Sequence, residues 1–263
     1  MLLLKVNHYL FYKEFGKRVS SDIDFLVSSN NLNKVESILL KNGYIQVKSK
    51  REYEIFTKLY SHQIISFSKK SSIFDVIVDI NFDIFWGEYQ GKRINIEQFI
   101  KNYVNMKIYN STIKTLSVKY AYIHLILHHY KDMNSIYMLT THNSIKKRML
   151  EEIYLFICNY NDELLGNEII DLCEDMNILE YVFYALYYVN KIYNNKNVCL
   201  FLNKIKKEDY LKFIDYYGLN DNERKKWKVP FEQRIDSNIY KIIKDDLTLE
   251  DKDKIRINSE IYG

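Results

Sequence analysis

The spacing of apolar residues changes once along this chain, and that change limits the fold more than any other feature. Up to about residue 96, short runs rich in β-branched and aromatic residues alternate with segments of helical spacing; beyond it the spacing is helical almost throughout. Strands are predicted at 1–4, 23–27, 44–47, 64–67 and 74–85, with helices over 6–15 and 32–41. In the second helix Leu32, Val35, Ile38 and Leu39 fall on one face, and Asn42-Gly43 supplies a stop signal. The polar stretch 68–72 reads as a hairpin turn. Later segments at 117–130, 145–160, 167–176 and 179–193 have helical spacing, and the charged stretch 244–254 reads as a surface helix or a frayed end. The expected architecture is α+β: a small mixed-sheet module over 1–105, then a mostly helical domain over 106–263, with the border inside 100–116.

Composition fits that division. One proline, Pro230, and seven glycines in 263 residues leave few breakers, so short turns should join the elements. A hydrophobic share of 47% is enough for a real core in each part. The net charge of +4 comes from interspersed acids and bases; it permits an anionic ligand without calling for long nucleic acid. The basic runs Lys204-Ile205-Lys206-Lys207 and Arg224-Lys225-Lys226-Trp227-Lys228 read as solvated faces. The 24 tyrosines accompany heavy use of isoleucine, lysine and asparagine, a compositional bias rather than a base-stacking stripe. Cys158, Cys173 and Cys199 lack metal-ligand spacing and sit in apolar helical patterns, so buried thiols in a reducing compartment are expected. No run reaches about 18 apolar residues, as a membrane span would need. Met1 to Leu4 is too short for a signal peptide before Lys5. The expected location is cytoplasmic, with no membrane partner.

The segment that carries chemistry is Gly16-Lys17-Arg18-Val19-Ser20-Ser21-Asp22-Ile23-Asp24-Phe25-Leu26-Val27. Side chains two apart on a strand share a face, so Asp22 and Asp24 can converge on one or two hard cations. Magnesium suits such oxygen ligands, and a divalent ion would relieve the repulsion between the two carboxylates. A second acid, Asp79, stands among the valines and isoleucines of Phe74-Asp75-Val76-Ile77-Val78-Asp79-Ile80-Asn81-Phe82-Asp83. A carboxylate in such a strand is unfavourable unless paired or metal-bound. If the two strands are neighbours, Asp79 completes a three-carboxylate site; Asp75 and Asp83 share its parity, and Asp79 has the most apolar flanks.

His128-His129 lies on a predicted helix, where adjacent residues diverge by about 100°. Joint ligation of one ion is therefore not expected; one ring should face the core and the other solvent, with a ligand-binding role for His128 the sharper alternative. The sequence contains no P-loop lysine motif, no G-x-G-x-x-G, no H-E-x-x-H and no G-x-S-x-G.

The order of these features resembles the uncharacterised nucleotidyltransferase family of the polymerase-beta-like superfamily. An apolar strand ends in Lys5; a helix follows; then comes R-x-x-S-D-I-D-x-L-V from Arg18, a helix closing at Asn42-Gly43-Tyr44, and Val78-Asp79-Ile80 before an aromatic stretch. Looser echoes are the leucine–histidine segment ending in His128-His129, the acid Glu152, and Trp227 with Phe231 and Arg234. The resemblance implies two-metal transfer of a nucleoside monophosphate from an NTP to a hydroxyl. Asp22, Asp24 and Asp79 would be the catalytic and metal-binding set for two magnesium ions, and Lys5, Asn7, Arg18 and Ser21 would contact the nucleotide. The acceptor it implies is a small molecule, a protein or an RNA end. Val6 departs from the pattern, because the family places glycine after the strand-end lysine, where backbone approaches phosphate. The family's usual N-terminal extension is also missing, and Asn81 stands where many relatives carry histidine. These departures leave two alternatives beside the enzyme: a degenerate member acting as a binding or regulatory protein, and a toxin of a toxin–antitoxin pair that modifies tRNA or protein.

Overall fold

The computed structural model describes residues 1–4, 22–46, 50–72, 74–85, 93–108, 110–142 and 145–262. Chain contacts divide it into two compact units, Met1–Ala121 and Tyr122–Gly263.

The first unit is built on a seven-stranded mixed sheet. In chain order its elements are β1 (Leu2–Leu3), β2 (Asp22–Leu26), helix α1 (Leu32–Lys41), β3 (Ile45–Gln46), α2 (Arg51–Tyr60), β4 (Phe67–Lys70), β5 (Asp75–Asn81), α3 (Glu97–Lys101), β6 (Tyr103–Ile108) and β7 (Ser111–Leu116). The strands lie in the order β3, β4, β5, β2, β1, β7, β6. β2 runs parallel to β5 and β1 parallel to β7, while the other neighbours are antiparallel. Alternation along the central strands sorts their side chains. Phe25, Val27, Val76, Val78 and Ile80 join one apolar cluster with Leu32, Val35 and Leu39 of α1, which leaves Asp22, Asp24 and Asp79 to the other face.

Helix α1 ends as its sequence predicts. Gly43 takes a left-handed φ of 79°. The amide of Tyr44 donates to the Leu39 carbonyl and that of Gly43 to the Leu40 carbonyl, the paired bonds of a Schellman stop. Ile38, expected on the buried face, is instead 49% exposed; the stripe through Leu32, Val35 and Leu39 already fills the contact with the sheet.

Three features depart from the expected order. Residues 51–60 form an additional helix. β4 extends through Ser68, Lys69 and Lys70, each opposite a residue of β5, and the turn begins at Ser71, whose amide donates to the Phe74 carbonyl. The segment expected to be a border carries the hairpin β6–β7, whose second strand joins β1. The first unit therefore runs past the expected border at 105. Polar alternation in Tyr103–Ile108 hid this hairpin, since its outward residues are exposed.

The second unit is helical, apart from a two-stranded ribbon of β8 (Tyr216–Tyr217) and β9 (Lys225–Lys226). Its longer helices are α4 (Val118–Asn134), which begins in the first unit, α6 (Lys147–Leu164), α7 (Asn167–Asp175), α8 (Leu179–Tyr193), α9 (Lys196–Ile205) and α13 (Leu249–Tyr262). The short helices are α5 (Ile136–Thr141), α10 (Glu208–Ile214), α11 (Phe231–Arg234) and α12 (Ile239–Ile243). Helix α8 is buried along most of its length and contacts α6, α7, α9 and α10. Its tyrosines are packing residues. Tyr181 and Tyr184 meet Tyr130 at ring separations of 4.5 and 5.1 Å, and Tyr188 stacks on Phe231 at 4.0 Å. Burial drives the Tyr184 and Tyr188 hydroxyls well above their ordinary pKa.

The thiols correct the expectation of general burial. Cys173 is buried, and desolvation pushes its pKa up to about 12; Cys158 and Cys199 are exposed, and all three are free. Each exposed thiol directly follows a residue that faces the core, Ile157 or Val198, and so turns off the buried face. Among the described residues, no helix is long and apolar enough to cross a membrane.

Candidate functional site

The parallel pairing of β2 with β5 sets Asp24 directly opposite Asp79 and Asp22 opposite Ile77. Because all three aspartates share one face, a carboxylate oxygen from each lies within 4.8 Å of the others. Asp79 is buried, whereas Asp22 and Asp24 are half-buried. The cluster is thus rooted in the sheet and opens outward through the β2 pair.

The two rivals of Asp79 lie elsewhere. Asp75 is exposed at the start of β5, opposite Lys70. Asp83 is buried just beyond the strand, where its Oδ1 accepts the amides of Ile84 at 2.7 Å and Phe85 at 3.1 Å. Its other oxygen meets Arg93 Nη1 at 3.3 Å, and Arg93 Nη2 donates to the Leu59 carbonyl at 2.9 Å. Burial raises the Asp83 pKa, and the amides and Arg93 only partly offset it. Asp83 therefore anchors the strand exit.

Asn81 is the site residue that sequence reasoning did not assign. Its Nδ2 donates to Asp24 Oδ1 at 3.3 Å across the β2–β5 pair. An amide in this place holds one carboxylate in position without adding charge. The available signal was its parity with Asp79, two residues earlier. Lys5, Val6, Asn7, Arg18 and Ser21, the expected nucleotide-contacting positions and the departure among them, lie outside the described residues.

The histidine pair divides as expected in burial. His129 is buried, with Nε2 3.0 Å from Glu152 Oε2, and His128 is partly exposed. Glu152, only loosely matched in sequence, is 1% exposed and also accepts from Arg148 Nε at 3.3 Å. Trp227, Phe231 and Arg234 come together as a packing group. The buried Arg234 guanidinium lies 4.8 Å from the Trp227 ring centre and 5.6 Å from that of Phe231. Much of the basic run at 224–228 is engaged in ion pairs: Arg224 with Asp221, Lys225 with Asp251, and Lys228 with Asp246.

An all-carboxylate cluster on neighbouring strands of a small mixed sheet defines a module whose donors suit a hard divalent cation rather than a soft one. The chain belongs to an uncharacterised nucleotidyltransferase family, whose sequence model matches residues 5–194. That span includes the three aspartates, Asn81, His129 and Glu152, and a general role in nucleotidyl transfer goes with it. No curated protein and no solved structure matches the chain.

Proposed function

We propose that this protein is a magnesium-dependent enzyme that moves a nucleoside monophosphate from an NTP to a hydroxyl group. The observation that carries the reading is the convergence of Asp22, Asp24 and Asp79 within 4.8 Å inside a chain of this family. The donor set fits magnesium, which takes oxygen ligands and is commonly held by one or two carboxylates plus substrate phosphates. Asp22 and Asp24 would hold two ions against the nucleotide, and Asp79 would share one of them. The bound ions supply neutralisation of the charge that develops on the attacking and leaving oxygens.

The chain's own residues supply position and proton handling. Asn81 fixes the Asp24 carboxylate through its 3.3 Å bond, so that carboxylate need not reorganise as the reaction proceeds. Asp79, the most buried of the three, helps take the proton from the acceptor hydroxyl. By the family pattern, Lys5, Asn7, Arg18 and Ser21 would serve the phosphates, Arg18 and Lys5 as the cationic donors. The acceptor is a small molecule, a protein or an RNA end. The modest net charge of +4 favours an acceptor smaller than long nucleic acid.

Val6 favours a second reading, a chain of the same fold that regulates or binds without catalysis, because the family pattern has glycine at that position and valine lacks glycine's conformational freedom. Calorimetry with NTP and magnesium, using wild type and the Asp22→Asn/Asp24→Asn double variant, tests whether the nucleotide site is intact, and release of pyrophosphate from bound NTP in the presence of an acceptor then separates the enzyme from a nucleotide-binding protein. Binding that requires both magnesium and the two aspartates supports the enzyme. Well-folded wild type that binds no NTP overturns it and leaves the binding protein. Toxicity on expression, relieved by the same double variant, would favour the toxin reading, with transfer to tRNA or protein.

A further inference from the structure

We propose that His128, His129 and Asp132 form a second metal site, of the zinc type, on helix α4. Neighbouring helical residues diverge, which counted against joint ligation by the two histidines. Asp132 removes that objection. It stands four residues after His128 and three after His129, and both spacings bring side chains together on a helix. One donor atom from each of the three lies within 4.8 Å of the others. His128 Nε2 is already 3.4 Å from Asp132 Oδ2. Two donors on one tetrahedral zinc ion stand about 3.4 Å apart, given its bond lengths.

A second observation points the same way. His129 is 2% exposed, and its Nε2 lies 3.0 Å from Glu152, itself buried and held by Arg148 on its other oxygen. A carboxylate behind an imidazole fixes the proton on that nitrogen and presents the opposite nitrogen's lone pair to a metal. The opposite nitrogen, His129 Nδ1, is buried with no hydrogen-bond partner among the described residues. A buried polar atom in that state is costly, and an ion would satisfy it. An ordinary i,i+4 pair between His128 and Asp132 accounts for neither the buried Nδ1 nor the carboxylate behind the ring.

The donors also select a different ion from the aspartate cluster. Two imidazoles and one carboxylate suit zinc or another divalent transition ion, whereas three carboxylates suit magnesium. The His128 side chain is 38% exposed, which gives an ion a way in and leaves a fourth position to solvent. His124, one turn earlier, lies nearly parallel to His128 with ring centres 6.2 Å apart.

The test is calorimetric titration of chelator-treated full-length protein with zinc chloride alone, supported by the visible spectrum of the cobalt form. Wild type should bind one equivalent of zinc. The Asp22→Asn/Asp24→Asn protein should bind it equally well. His128→Ala, at a partly exposed position, should weaken binding at least a hundredfold while keeping the wild-type melting curve. Glu152→Gln, which acts only through His129, should weaken it about ten- to a hundredfold. Absence of zinc binding by wild type would overturn the proposal, as would wild-type affinity in His128→Ala. Loss of the zinc equivalent in the aspartate double variant would also overturn it, by assigning the ion to the sheet cluster.

Discussion

The two ligand clusters are assembled in opposite ways. Asp24 and Asp79 come from strands far apart in sequence and meet only because β2 and β5 pair in one register. A slip of one residue would turn Asp79 to the apolar face. His128, His129 and Asp132 belong to one helix, so their proximity is written into local spacing and survives whatever preserves that helix. What the helix cannot supply is orientation, which comes from Glu152 on α6. One cluster depends on tertiary structure for its existence, the other only for its aim.

The largest effect should come from cutting the tertiary cluster. Asp79→Asn should lower magnesium-dependent NTP affinity by at least a hundredfold. It should also raise the thermal midpoint measured in chelator, because three carboxylates within 4.8 Å repel when no cation sits between them. A midpoint that falls with the substitution would show that Asp79 is a structural residue instead. Next comes the residue that aims the local cluster. Glu152→Ala leaves His129 and Arg148 without their shared buried acceptor and should cost about 1–3 kcal/mol in urea unfolding. Glu152→Gln, which keeps an acceptor, should cost clearly less; equal losses would mean that volume rather than hydrogen bonding holds the contact.

The smallest effect tests the boundary of the sheet site. Asp83 has a folded pKa raised by burial above its ordinary 3.8. The native state therefore holds the Asp83 proton more tightly than the unfolded chain. The resulting penalty is absent below 3.8, grows as pH rises to the folded pKa, and is fully present at neutrality. Asp83→Asn removes the titration, so its stability relative to wild type should climb across that window. A constant difference between acid and neutral pH would show that Arg93 and the two amides fully offset the burial.

Much of this was legible in the sequence where a local rule and a global need coincided. Asn42-Gly43 named its helix stop because only a left-handed residue closes that turn, and Asp79 drew notice because a carboxylate among valines and isoleucines is unfavourable unless paired or metal-bound; the structure brings it within 4.8 Å of Asp22 and Asp24. Helices α4, α6, α7 and α8 of the second unit followed from their apolar spacing, whereas α5, α9, α10, α11 and α12 did not. The hairpin β6–β7 was not legible, since an exposed ribbon such as Tyr103–Ile108 carries no buried stripe and is defined by its partner. Asn81 was noted only as a departure from the family's histidine, and its role was not legible for a related reason: it is a bond to a residue on another strand. Cys158 and Cys199 show the limit of periodicity, where a one-residue error moves a side chain from the core to solvent.

The strand β1 has a consequence for synthesis. Thr115 Oγ1 donates to the Leu3 carbonyl, a bond between residues 112 apart in the chain. At about 5–20 residues per second, a ribosome needs roughly 6–22 s to deliver the second partner after the first. Throughout that interval β1 has no β7 beside it, and the sheet that carries the aspartates has an open edge of the kind that invites pairing with another nascent chain. Expression at low temperature, or with slowed initiation so that ribosomes are widely spaced on the message, should therefore raise the yield of native protein.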